Sequence, residues 1–376
     1  MASTINALTS GGGGLTMVGD ATGNLNIQSG GSTVVAVTSA GVAVTGTLAA
    51  TGAVTLTGSL NTPNTFGFKN RIINGGMVID QRNAGAAISV TGAAGFPVDR
   101  FYVSANVSGV ISAQRSSTAP QGFTNSTSLT VTTARASIAA GDVYGCRQAI
   151  EGYNTADLGW GTANAQSVTL SFWVRSSITG TYSTSIFNAA FNRSYISTYT
   201  ISVANTWEQK TITITGDTTG TWNTDNSASL TVYWDLGSGS TYYGTAGAWA
   251  AVGAVRTSGS TNWISTLGAT FYITGVQLEK GSTATSFDFR DYGRELAMCQ
   301  RYYWKGNLPI MRNWTGSTIA VSSSIGFPVT MRATPSIGVD TGAVDSSYAS
   351  SMSTYQGSIG SGSTYTPGNG YVNAEL

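Results

Sequence analysis

Histidine is missing from all 376 residues of the chain. This absence excludes nucleophile systems of the Ser-His-Asp and Cys-His kinds, because each needs an imidazole base. It also excludes zinc or iron sites that depend on histidine ligands. The two cysteines, Cys146 and Cys299, are too few for a zinc site made of thiolates alone, and their wide spacing matches no redox motif. We therefore expect no metal site.

Charged side chains are also scarce, at 9% of the chain against roughly 25% in ordinary globular proteins. The net charge of +1 favours neither nucleic acid nor an anionic membrane as a partner. No apolar run reaches the roughly 18 residues of a membrane span, and no basic segment followed by an apolar one opens the chain. We therefore expect neither membrane insertion nor a secretory signal. A phosphate-binding G-x-x-x-x-G-K-[ST] loop is absent too, and we expect no cofactor.

In place of charge the chain has Gly, Ser and Thr, which near the N-terminus alternate with apolar residues in a faint twelve-residue repeat. The repeat shows at six positions, where Val42, Val44 and Leu48 return as Val54, Leu56 and Leu60. The period of two predicts strands, and a lone ribbon of such strands cannot bury its apolar side. We therefore expect copies of the chain to wrap into an intertwined trimeric β shaft with these six residues as its core. A flexible Gly/Ser/Thr linker is the alternative.

Residues 69–290 consist of short apolar and hydroxyl-rich segments separated by turn residues at roughly 8–12-residue spacing, which is typical of a β-sandwich or barrel. The clearest predicted strands cover residues 167–176, 208–215, 229–236 and 270–278. One short helix is predicted at about 291–303, and strands return at 318–325 and 331–337. We expect the charged residues around the helix, Arg290, Asp291, Arg294 and Glu295, to pair with one another or with Asp99 and Arg100.

Glycoside hydrolysis needs only two carboxylates, so the missing histidines do not exclude it. The candidates are Glu151, Asp157, Glu208, Asp217, Asp225, Asp235 and Glu279, and none lies in a recognisable motif. We therefore expect a protein that is not an enzyme. The oxygen-rich segment 217–226 does not match the order of a Ca²⁺ loop, and a turn is the simpler interpretation.

The aromatic residues divide by their surroundings. Three tryptophans in or beside predicted strands are interpreted as sandwich core: Trp173, Trp207 and Trp234. Trp222 and Trp249 are interpreted as pinning loops to the sandwich. The predicted glycan-binding residues are Trp160 and Trp263, followed by Tyr195 and Tyr242, because loop aromatics beside polar residues can stack on a sugar ring. For Trp160 and Trp263, loop pinning stays equally open.

Several motifs resemble those of bacteriophage tail-fibre proteins. They include Ile72–Met77 (IINGGM), Val98–Phe101 (VDRF), Trp207–Trp222, Gly275–Gly281 (GVQLEKG) and Phe289–Tyr303 (FRDYGRELAMCQRYY). Met331–Pro335 (MRATP), the closing Ala374–Leu376 and the opening Met1–Asn6 (MASTIN) resemble the same family. The resemblance covers nearly the whole chain. It implies a jelly-roll domain similar to carbohydrate-binding modules, a homotrimer and a host-facing role. The motifs belong to the framework and identify no receptor.

Together these observations predict an all-β protein with four regions. Residues 1–33 are expected to attach it to other phage tail or virion proteins, 34–68 to form the shaft, 69–305 a jelly-roll β-sandwich and 306–376 a small β tip. The predicted function is that of a virion tail fibre, made in the host cytoplasm, that binds a host-surface glycan non-covalently. A purely structural baseplate, collar or capsid-decorating fibre without a ligand is the alternative.

Overall fold

The computed structural model describes residues 25–29, 32–38, 41–44, 69–90, 95–106, 110–308, 325–339, 354–355 and 368–376. The chain forms two compact units, Met1–Asn61 and Thr62–Leu376. Within the described residues, no helix has the length and apolar character needed to cross a membrane.

The first unit contains a small antiparallel sheet. Its strands are β1 (Leu25–Ser29), β2 (Ser32–Thr38) and β3 (Gly41–Val44), in the order β1-β2-β3. The register pairs Ile27 with Val35, and Val37 with Val42, so Ile27, Val35 and Val42 share one face. Ile27 is 51% exposed and Val42 65% exposed. Of the predicted shaft core, Val42 and Val44 lie in β3, whereas Leu48, Val54, Leu56 and Leu60 lie outside the described residues. The trimeric shaft stays a prediction.

The second unit is built on two antiparallel sheets. In chain order their strands are β4 (Ile88–Val90), β5 (Gly95–Val98), β6 (Phe101–Ala105), β7 (Ile111–Ser116), β8 (Ser126–Val131), β9 (Tyr144–Glu151), β10 (Val168–Ser176), β11 (Gly180–Asn188), β12 (Ser194–Ile201), β13 (Glu208–Ile214), β14 (Ala228–Asp235), β15 (Trp249–Ala250) and β16 (Thr270–Lys280). One sheet has the order β13-β10-β16-β8-β7-β4 and the other the order β15-β12-β11-β14-β9-β6-β5. Single 3₁₀ turns cover Gly152–Asn154, Ala156–Leu158, Ser240–Tyr242 and Trp263–Ser265.

The two sheets face each other across an aromatic core. Phe172 of β10 contacts Trp234 of β14 and Tyr199 of β12, with ring centroids 5.6 Å and 5.1 Å apart. Along β14, Leu230, Val232 and Trp234 join this core, while the alternate residues point to the other side of the sheet. The predicted all-β sandwich is thus confirmed, and each of the four clearest predicted strands is present.

Two of the three tryptophans predicted as core lie elsewhere. Trp234 is fully buried, as predicted. Trp173 alternates with the core residues Phe172 and Val174 and therefore lies on the outer face of the six-stranded sheet, half-buried. Trp207 packs edge-on against Tyr272 of the same face, with centroids 6.2 Å apart. A strand presents adjacent residues to opposite sides, so being in a strand does not place a tryptophan inside.

The predicted helix is present as α1 (Tyr292–Gln300). Asp291 caps it by accepting a hydrogen bond of 2.9 Å from the backbone N–H of Arg294. Arg290 pairs with Glu295 at 3.4 Å, as expected. Asp99 and Arg100, however, pair with other residues: Arg82 lies 3.2 Å from the Asp99 carboxylate, and Arg100 binds Glu375.

The described C-terminal residues belong to the second unit and include five strands. These are β17 (Tyr303–Leu308), β18 (Ile325–Gly326), β19 (Ser336–Val339), β20 (Thr354–Tyr355) and β21 (Gly368–Asn373), in sheets of order β17-β21-β19 and β18-β20. The residues after β21 are clamped. The N–H of Ala374 donates to the carbonyl of Tyr302 at 2.7 Å, and Arg332 donates to the carbonyls of Ala374 and Glu375. The predicted boundary between a sandwich and a separate tip stays a prediction.

Candidate functional site

A groove of about 430 Å³ lies on the outer face of the seven-stranded sheet. It is lined by Ser104, Val143, Arg147, Ala149, Phe187, Ala189, Phe191, Ala228, Thr231, Tyr233, Tyr242, Val255 and Leu376. The groove volume falls within the roughly 300–1,000 Å³ that ligand pockets span. Apolar and aromatic surface predominates, with a few hydroxyl groups and one guanidinium group among it, which is the usual make-up of a binding site.

The floor of the groove follows from the register of three neighbouring strands. Arg147 of β9 is paired with Tyr102 of β6 on one side and with Tyr233 of β14 on the other, so the three side chains form a row on the outer face. Gly145 precedes Arg147 on this face, and a methyl group there would clash with the ring of Tyr233. The absence of a side chain at Gly145 therefore lets the Tyr233 ring lie across β9.

Tyr233 is almost fully buried in this floor, and burial raises the pKa of its hydroxyl well above the ordinary range. The phenol is therefore neutral at physiological pH. Its oxygen lies 3.4 Å from the Ser238 hydroxyl. The hydroxyl is thus buried against Ser238, and Tyr233 contributes its ring to the floor of the groove.

One wall of the groove consists of aromatic residues from two loops. Phe191 packs edge-on against Phe187 at the end of β11, with centroids 4.7 Å apart. Tyr242 lies at the end of a 3₁₀ turn, and the centroid of its ring is 6.2 Å from that of Phe191. Phe191 and Tyr242 are half-buried, so part of each ring is open to solvent. An aromatic ring that is packed on one side and exposed to solvent on the other can stack on the CH face of a sugar.

The loop that carries Tyr242 is fixed by a buried ion pair. Arg256 lies 3.4 Å from the carboxylate of Asp235, and both side chains are fully buried. The same carboxylate accepts the backbone N–H groups of Gly237 and Ser238, each at 3.0 Å, and Arg256 donates to the side chain of Asn262 at 2.7 Å. These bonds tie residues 236–262 to the sheet through a buried network whose groups are hydrogen-bonded to one another.

Of the four residues predicted to bind glycan, Tyr242 alone lines the groove. Trp263 corrects the prediction: it is 0% exposed, packs against Phe271 in the core and so has no free face for a sugar. Trp160 and Tyr195 are only 8% and 9% exposed.

Trp160 and Tyr195 belong to an aromatic cluster that also contains Trp222 and Trp249. Trp160 packs edge-on against Trp222 at 4.8 Å and Trp249 at 5.3 Å, and Tyr195 packs against Trp249 at 5.4 Å. Each indole N–H donates to a backbone carbonyl: Trp160 to Gln166, Trp222 to Thr219 and Trp249 to Thr215. With rings and N–H groups occupied in this way, the cluster pins loops to the sandwich, as was interpreted for Trp222 and Trp249.

The predicted turn at 217–226 carries a structural ion pair. Both carboxylate oxygens of Asp217 bind the guanidinium of Arg193, at 2.8 Å and 2.6 Å. No group of three carboxylates or thiols in the described part of the chain is arranged to hold a metal ion. The groove itself is lined by no Asp or Glu side chain among the described residues, whereas glycoside hydrolysis needs a pair.

The remaining groove residues were missed because they come from six separate segments of the chain. Arg147, Phe187 and Tyr233 each occupy an outward position of an alternating strand, and Phe191 follows in a short loop. Alternation in β14 marks Tyr233 as outward once Trp234 is taken as core. The sequence carries no comparable signal for the meeting of β9, β11 and β14 at one groove.

No protein-family model and no curated protein sequence matches this chain. Among solved structures it is similar to the enzymatically active domain of tailspike protein 4 from bacteriophage CBA120, with 14% identity and a TM-score of 0.28, over 56% of this chain and 21% of the tailspike chain. It is similar to a putative sugar-binding protein from Bacteroides thetaiotaomicron, with 14% identity and a TM-score of 0.29, over 56% of this chain and 100% of that one. It is also similar to a family 11 carbohydrate-binding module from Clostridium thermocellum in complex with a mixed-linked tetrasaccharide, with 11% identity and a TM-score of 0.27, over 54% and 100% of the two chains. At such low TM-scores these likenesses carry no weight for function, and the groove's own residues decide what it can bind.

Proposed function

We propose that the protein binds a saccharide non-covalently in the groove of the seven-stranded sheet, and that it does so as a fibre of a phage virion. The groove is the observation that carries the binding proposal. The half-buried rings of Phe191 and Tyr242 offer a stacking surface, and the hydroxyl groups of Ser104 and Thr231 can bond to sugar hydroxyls. The virion role is supported by the tail-fibre motifs in the sequence.

The small sheet of the first unit supports a trimeric shaft. Its face that carries Ile27, Val35 and Val42 leaves Ile27 and Val42 more than half exposed. A three-stranded sheet with an open apolar face is stabilised when copies of the chain cover that face. The full-length chain should then be a trimer by light scattering, and Val42→Asp should give monomers or aggregates. A stable wild-type monomer would contradict the shaft.

Trimerisation would make weak groove binding effective. Three grooves on one particle raise the effective concentration, so avidity exceeds the single-site affinity by about 10²–10⁴. A host surface with repeated glycans would allow the three grooves to bind at the same time.

A glycan array probed with the full-length chain tests the binding proposal. The double variant Phe191→Ala, Tyr242→Ala should lose about 2 kcal/mol or more of binding free energy, since stacked aromatic residues act as hot spots. Trp173→Ala is the matched control, because it removes a half-buried ring from the outer face of the other sheet. An equal loss in the control, or no loss in the double variant, would contradict the groove. A wild-type chain that binds no glycan, charged or neutral, favours the ligand-free structural fibre.

A further inference from the structure

Arg147 is the one charged side chain among the residues that line the described groove. Its guanidinium carbon lies 4.4 Å from the centroid of the Tyr102 ring, and its strand pairing places it beside Tyr233. The aromatic ring holds the cation by its face and leaves the N–H groups at the edge of the guanidinium free to donate.

Within the described part of the chain, the guanidinium of Arg147 makes no hydrogen bond or ion pair with another side chain or carbonyl. Other arginines of the same unit are bound to acids: Arg71 to Asp157, Arg193 to Asp217, and Arg301 to Glu151. Arg147 lies in the groove without an acidic partner, so the N–H groups of its guanidinium can still donate hydrogen bonds to a ligand.

Three carboxylates close in sequence to lining residues of the groove are paired with arginines. Asp235 pairs with Arg256, Glu151 with Arg301, and Glu375 with Arg82 and Arg100. Arg147 therefore supplies the one charged side chain of the groove's described lining, and the aromatic surface beside it strengthens the attraction of its guanidinium to an anion.

We infer that the groove takes an acidic saccharide, one of whose singly charged oxyanions binds the guanidinium of Arg147. This inference rests on the proposed function and names the ligand class. The planar fork of arginine matches two oxygens of a carboxylate or a sulfate ester. One unpaired arginine matches one negative charge, which favours a uronic acid carboxylate or a sulfate ester over a phosphate dianion.

Calorimetric titration of the full chain with trigalacturonate and with its methyl ester tests the inference. The two ligands share every ring and hydroxyl and differ in charge. The acid form should bind at least about tenfold more tightly, as expected for a charge-assisted hydrogen bond. That preference should shrink as salt is raised. A sulfated carrageenan oligosaccharide and its desulfated form make the second arm, which tells carboxylate from sulfate.

The variant Arg147→Gln should lose the preference for the acid, so that its affinities for the acid and for the ester no longer differ. Arg147→Lys keeps the charge without the fork and should retain part of the preference. Arg175→Gln is the matched control: it removes the same charge from a guanidinium that lies 5.0 Å from the ring of Tyr272 on the other sheet. It should leave both affinities unchanged.

The outcomes separate the inference from the function beneath it. Equal binding of acid and neutral forms in both arms overturns the acidic-ligand inference and leaves saccharide binding intact. A preference for the acid form that survives in Arg147→Gln, or that is lost equally in Arg175→Gln, also overturns it. If neither charged nor neutral saccharides bind, the proposed function fails as well.

Discussion

The outer faces of the two sheets carry similar residues, yet they differ in what covers them. Each presents an arginine over a tyrosine ring, Arg147 on Tyr102 and Arg175 on Tyr272. On the seven-stranded sheet, residues 236–262 and Leu376 lie beside the row that contains Arg147, and a groove is left between them. On the edge strand β13 of the six-stranded sheet, the alternate side chains stand exposed to solvent. The aromatic row of the seven-stranded sheet is a candidate site because loop residues enclose it as a groove.

Removing the anchor of the enclosing loop should have the largest effect. Arg256→Leu leaves the Asp235 carboxylate buried without its cation, and we expect the free energy of unfolding to fall by about 3–5 kcal/mol. The matched variant Arg175→Leu acts on the open face and should change it by about 1 kcal/mol or less. Urea denaturation of the full chain, followed by tryptophan fluorescence, measures both. Equal effects would mean that the loop is not held by this pair.

Alkali should destabilise the folded state through its buried tyrosines, and Tyr182 of the core can be compared with Tyr272 on the outer face of the six-stranded sheet. Burial raises the pKa of Tyr182 to about 12 from its ordinary 10.0, so the unfolded state loses this proton first. The stability that Tyr182 contributes is fully present below about pH 10 and is lost as the pH rises towards 12. Two pKa units correspond to about 3 kcal/mol.

Thermal unfolding across this pH window tests the assignment. Tyr182→Phe cannot ionise and should lose less stability than the wild type over the window, although other buried tyrosines still titrate. Tyr272→Phe, on the open face, should follow the wild type. If the two variants behave alike, Tyr182 does not dominate this part of the profile.

The smallest change in stability should come from adding one methyl group to the outer face of either sheet. Gly145→Ala forces the Tyr233 ring out of the groove floor, and Gly275→Ala meets Phe123 and Trp173 on the other sheet, at a backbone φ of +61°. We expect each to cost about 1–3 kcal/mol of stability through overpacking. Only Gly145→Ala should also weaken saccharide binding in calorimetry. Weakening by both would show that stability, and not groove shape, sets the affinity.

Much of the sandwich could be predicted because alternation is a local property. The segments at 168–176 and 208–214 alternate along their length, and Asp291 sits where a helix needs its cap. Local pattern also places Trp234 inside, together with Leu230 and Val232. These features depend on neighbours within a few residues of one another.

The candidate site could not be predicted in the same way, because it depends on contacts between distant segments. Trp263 and Tyr242 lie in similar Gly- and Ser-rich surroundings, yet one is buried in the core and the other lines the groove. The difference is decided by the path of residues 236–262 over the sheet, which the Asp235–Arg256 pair fixes. Nothing in either residue's immediate sequence encodes that path.

The ion pairs of Glu375 with Arg82 and Arg100 also bear on the order in which parts of the second unit fold. Arg82, which binds Glu375, precedes it by 293 positions, and Arg100 precedes it by 275. A ribosome has therefore made nearly all of the sandwich before either arginine can meet this partner. The entropy of closing so long a loop opposes these contacts, so we expect the part of the groove lined by Leu376 to be completed after the sheets have paired. Saccharide binding would then report that the whole unit has folded.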